Sequence, residues 1–100
     1  MQKEEAIIVG KERLCKEELD LLSAQQWREE IQSEIEELGA LAGKEVKVSL
    51  ENIVFMDSHG ISALKGVMSF VESQHAGVSL ISPKDTNVQN LLRKVKMLQA

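Results

Sequence analysis

One hundred residues, 43% of them hydrophobic, describe a single domain rather than a disordered tail, and a chain of this size buries roughly two-thirds of its unfolded surface around one core. Sixteen acidic against twelve basic residues leave a formal charge of −4 without a Lys/Arg cluster, which argues against nucleic acid as the main partner. The single cysteine, Cys15, excludes an internal disulfide and a CxxC metal site and points to a reducing, cytoplasmic setting.

The opening MQKEEAIIVG places charges before a short apolar run, which reads as neither a signal peptide nor a membrane span. Within it, Ala6-Ile7-Ile8-Val9 is short, apolar and partly β-branched and ends at Gly10, the pattern of a first strand. Residues 11–19 are dominated by charge. Leu14 and Leu19 suggest a short second strand near Leu14–Glu18, although the composition equally allows a helical turn. Ser23 then opens the clearest helix. Ala24, Trp27, Ile31, Ile35 and Leu38 recur at three- and four-residue spacing as one apolar stripe, with Ser23 as its N-cap. Glu29, Glu30, Glu34, Glu36 and Glu37 fill the remaining faces and read as a solvated surface. Trp27 reads as core. Gly39 and Gly43 end the helix.

Glu45–Leu50 alternates, with Val46, Val48 and Leu50 to one side and Lys47 and Ser49 to the other, which is strand periodicity. After Glu51-Asn52, Ile53-Val54-Phe55-Met56 is apolar throughout and suits a strand covered on both faces, or the buried end of one. The next helix spans about 59–74, with Ile61, Leu64, Met68 and Val71 as its stripe, widened by Ala63 and Val67. Val78–Ser82 is another strand. Pro83-Lys84-Asp85-Thr86 is a turn carrying a cap signal, and a last helix shows Val88, Leu91, Leu92, Val95 and Leu98, with Lys94 and Lys96 complementing its dipole. The order predicts an α/β fold: a small mixed, largely parallel sheet of about four strands and three main helices, spanning 1–100 as one domain.

Functional loops in such sheets gather at the carboxyl ends of strands. Asp57-Ser58-His59-Gly60 lies there, between an apolar strand and a helix. Asp57 and Ser58 sit where N-caps sit, beside backbone N–H groups that lack helical partners. A phosphate on the Ser58 hydroxyl would add about −1.5 to −2 charges at the positive end of a helix. A partner docked over the turn with acidic or apolar surface would not accommodate that charge, so a local modification becomes a binding signal without refolding. His59 reads first as a solvated first-turn residue and second as one placed to tune the charge beside Ser58, since histidine as a residue type changes charge near neutral pH.

Catalysis fits poorly. Ser58 and His59 are adjacent at a helix entry, where their side chains diverge, and no GxSxG elbow is present. No GxxxxGK[ST] or GxGxxG loop occurs, and two histidines with one cysteine lack zinc spacing, so no enzyme activity, cofactor or metal is expected. Leu64-Lys65-Gly66 follows His59 too late, and the strands are too many, for a helical histidine-phosphotransfer bundle.

VSLENIVFMDSHGISALKGVMSFVE resembles the core of the STAS domain (sulfate transporter and anti-sigma factor antagonist). Asp57, Ser58 and Gly60 match that family's turn, and His59 stands where a small residue is usual. Glu18-Leu19-Asp20 followed by Ser23-Ala24 resembles its Gly-Glu-Leu-Asp…Ala segment, with Glu17 in place of the glycine. Ser82-Pro83, Val88 and Leu91-Leu92 resemble its closing strand, turn and helix, so the similarity runs from about residue 18 to 98. The resemblance to the stand-alone anti-sigma factor antagonists implies partner switching. The unphosphorylated protein binds an anti-sigma factor that is often a serine kinase. Phosphorylation of Ser58 ends the interaction, and a PP2C-type phosphatase restores it. Asp20, Asp57, Ser58, His59 and Gly60 are the expected partner-binding residues. The family also contains non-phosphorylated subunits that dock on the ATPase of a lipid ABC transporter, which is the alternative expectation. Neither inserts directly into a membrane.

Overall fold

A computed structural model describes residues 6–10 and 17–97. Its elements follow the order β1 (Ile7–Val9), β2 (Glu17–Leu19), α1 (Ala24–Glu37), β3 (Glu45–Ser49), β4 (Ile53–Met56), α2 (Ser58–Ser73), β5 (Gly77–Ile81) and α3 (Thr86–Lys94). The α/β class and parallel pairing stand as expected. The strands, however, form two sheets, a three-stranded β1-β3-β5 and a two-stranded β2-β4, with every pair parallel. The division arises after β3. Leu50 still donates its N–H to Ile81 O, then the Glu51-Asn52 turn redirects the chain and Asn52 O accepts from Glu17 N. Residues 11–16, which include Leu14 and Cys15, and Leu98 lie outside the described residues.

The helical stripes bury as their spacing requires. Ala24, Trp27, Ile31 and Ile35 on α1 and Ala63, Leu64, Val67 and Val71 on α2 are buried, whereas Leu38 stands at the surface and Ile61 and Met68 are only half-buried. The two helices pack on each other, α1 against β1 and β2, α2 against β4 and β5, and α3 against β4. Val46, Val48 and Leu50 enter the core together with Val9, and Val88 and Leu92 close it from α3. Ser49, on the opposite face of β3, is buried as well. Asp85 caps α3 by accepting from Val88 N at 3.0 Å, and Arg93 and Lys94 occupy its last turn.

Two local expectations change. Ser23 holds the N-cap position of α1, but its hydroxyl makes no cap bond; it donates to the Glu18 carbonyl and to Asp20 Oδ1 instead. Ile53–Met56 is not covered on both faces. Glu17 pairs with Ile53 and Glu18 with Phe55, so Val54 is an extra residue in β4. Such a bulge breaks the two-residue alternation. Ile53 and Met56 are consequently buried together, and Phe55 is left 45% exposed.

Candidate functional site

Because β2 and β4 run parallel, their carboxyl ends lie at the same edge, and the Asp20 and Asp57 turns become neighbours. Leu19 pairs with Met56, and Asp57 N donates to Leu19 O at 3.2 Å. Gly60 seals the junction. A Cβ there would meet Leu19 O at 2.5 Å, Met56 Cγ at 2.6 Å and Leu19 Cβ at 2.8 Å, so only glycine lets the first turn of α2 pass this close to β2. Gly60 is buried and presents no side chain; its place in the turn is to permit the approach of two elements.

Asp57 is the N-cap of α2. Its Oδ1 accepts from His59 N at 2.8 Å and from Gly60 N at 3.3 Å, satisfying two helix-end donors. Ser58 is the first helical residue and is exposed, and among the described residues its hydroxyl has no hydrogen-bond partner. His59 is exposed too and directs Nδ1 toward Asp57 Oδ1 at 3.5 Å. The imidazole therefore leans on the capping carboxylate.

Asp20 organises the second turn in the same way. Its Oδ1 accepts from Leu22 N at 2.9 Å, Ser23 N at 3.0 Å and Ser23 Oγ at 3.0 Å. The Asp20 N–H donates back to Ser23 Oγ at 3.1 Å. These donors, the Ser23 hydroxyl first, hold the Asp20 carboxyl below the usual carboxylate range. The structure thus brings Asp20, Asp57, Ser58, His59 and Gly60 to one edge of the molecule.

It also reveals an apolar rim. Leu21 is 65% and Leu22 88% exposed, and Phe55 sits just before the turn. Sequence alone reads leucine and phenylalanine as core. The available signal was the bracketing of Leu21-Leu22 by Asp20 and Ser23, residues that favour turns and therefore surface. Phe55 carried no such mark, since its exposure depends on the bulge.

Among the described residues, no group of three or more His, Cys, Asp and Glu side chains is placed to hold a metal ion, and no helix is long and apolar enough to cross a membrane. A comparison with protein-family models matches the STAS domain over residues 14–99. The chain belongs to the STAS family. That match covers every element from β2 to α3, and it includes both turns of the candidate site. STAS domains are in general non-enzymatic. A comparison with curated proteins returned no match.

Proposed function

We propose that this STAS domain is a phosphorylation-controlled partner-switching protein of the anti-sigma factor antagonist type. It docks on a serine-kinase/anti-sigma partner through the Asp20 and Asp57 turns while Ser58 is unmodified. Phosphorylation of Ser58 releases the partner, and a PP2C-type phosphatase resets the switch.

The observation that carries this reading is Ser58 itself: an exposed hydroxyl at the first position of α2, next to the capping Asp57 and beside an apolar rim. A kinase reaches such a hydroxyl without unfolding anything. The phosphate it adds lies at the positive end of the α2 dipole, so the domain tolerates it. A partner resting on Phe55, Leu21 and Leu22 does not, because the new charge must be desolvated at an apolar contact beside two carboxylates. Release follows from electrostatics at the interface and needs no change of fold.

The test is a pull-down from native lysate with the wild-type chain, Ser58→Ala and Ser58→Asp as baits, combined with phosphosite mapping. Ser58→Ala is expected to retain a kinase partner constitutively and Ser58→Asp to lose it. Equal recovery with all three baits contradicts the switch. A bait that recovers a transporter ATPase and never carries phosphate supports the transporter-subunit role instead.

A further inference from the structure

Leu21 and Leu22 stand side by side in solvent on a turn whose backbone is already fixed by the three hydrogen bonds that Asp20 Oδ1 accepts. A tip held in this way loses little conformational entropy when it docks. Adjoining it is a groove of about 290 Å³ between the beginnings of α1 and α2, with Leu21, Ala24 and Ala63 as its apolar lining, Arg28 as its cationic wall and His59 at its edge. Arg28 lies across α2 at Gly66, where a Cβ would meet its guanidinium at 2.7 Å. The groove falls just below the roughly 300–1,000 Å³ typical of small-molecule sites. It suits an inserted side chain better than a free ligand.

We propose that tip and groove are the two halves of one self-complementary surface, and that the chain pairs with a second copy of itself about a two-fold axis. Leu22 of each copy enters the groove of the other. A two-fold interface requires knob and hole on the same patch of each chain, and Leu21 belongs to both. The charges agree with the same occupant. The tip is flanked by the Asp20 carboxylate and the groove by the Arg28 guanidinium, so the acidic flank of each copy meets the cationic wall of the other. A foreign partner would have to supply a matching pocket, whereas this chain already carries one. Two leucines and a groove of this size cover less than the roughly 800 Å² per partner of a standard stable complex, so the pairing is weak and depends on concentration. Because His59 borders both the groove and Ser58, pairing covers the Asp57-Ser58 turn and competes with any partner that docks there.

Sedimentation velocity of the purified, unmodified chain tests the pairing without any partner, so its outcome is independent of whether Ser58 is a phosphoacceptor. Between about 10 μM and about 1 mM the chain is expected to move from monomer toward dimer. Leu22→Ser and Arg28→Glu are each expected to raise the dissociation constant about tenfold or more, the scale of re-exposing one leucine or reversing one charge pair. Leu38→Ser, at a surface leucine on the far end of α1, is expected to leave the dimer unchanged. Leu22 is solvent-exposed, so its variant keeps the wild-type melting temperature and the comparison does not depend on folding. A chain that stays monomeric at 1 mM (about that limit), or a dimer that ignores both Leu22→Ser and Arg28→Glu, overturns the proposal. A monomer whose Leu22→Ser variant loses a different protein assigns the tip to that protein and overturns it equally.

Discussion

Asp57 and Asp20 do related work on adjacent turns: each carboxylate accepts backbone N–H groups that the local chain leaves without partners. For Asp57 this is helix capping, and Asp57→Ala is expected to lower stability by about 1 kcal/mol, read as a shift in the urea midpoint without a change in slope. Asp20 adds a pH dependence. Its folded-state carboxyl titrates below its ordinary value because the charged form is hydrogen-bonded. A depressed pKa contributes stability that is fully present above the unfolded carboxylate value and lost as pH falls through the lower folded value. Asp20→Asn keeps an oxygen acceptor and removes the charge. Its stability deficit relative to wild type is therefore expected near neutral pH and is expected to close in acid, as pH falls below the ordinary aspartate value and through the lower folded one. Denaturant titrations of both proteins at neutral and at acid pH check this. A deficit that stays constant with pH assigns the role to geometry alone. At this scale, the capping role of Asp57 was legible in the sequence, because a short polar residue before a helical stripe has few other uses. That of Ser23 was not. Its hydroxyl is drawn back to Glu18 and Asp20 by a turn whose shape the local pattern does not encode.

Between elements, the contact that matters most is β2 against the first turn of α2. Gly60→Ala places a methyl group into Leu19 O and Met56 Cγ, and the closest of these obstacles is backbone. The expected loss is about 1–3 kcal/mol, measured by thermal unfolding as a fall of roughly 4–8 °C per kcal/mol for a domain of this length. An unchanged melting temperature would show that β2 and α2 separate at no cost. The helices themselves were readable from spacing because a stripe on one helix face survives any arrangement of its neighbours. Trp27, Ile31 and Ile35 on α1, and Leu64, Val67 and Val71 on α2, are buried in phase. The β2–β4 pair was not readable in the same way. Ile53-Val54-Phe55-Met56 looks uniformly buried, but the register shift opposite Glu17 and Glu18 turns Phe55 outward. Register is a property of two strands, and one strand's sequence does not contain it.

For the molecule as a whole, parallel pairing gathers both turns at one edge, directly beyond the core residues Leu19 and Met56. The order of strands and helices made that edge predictable, since strand carboxyl ends in an α/β fold collect functional loops. The separation into two sheets was outside the reach of sequence pattern, because it depends on where the chain turns at Glu51-Asn52, whereas the exposed Leu21-Leu22 tip was marked only by its bracketing between Asp20 and Ser23. The resulting division of labour is simple. Trp27 and the helix stripes lie in the core, and Ser58 stands exposed at the edge. The central claim is that phosphate on Ser58 decides whether a partner binds. The most direct measurement is titration calorimetry of the recovered kinase partner against two forms of the chain, one with Ser58 unmodified and one with phosphoserine at that position. The account predicts saturable binding of the unmodified form and a loss of affinity of at least about tenfold for the phosphorylated one. Equal affinity for both forms would contradict it.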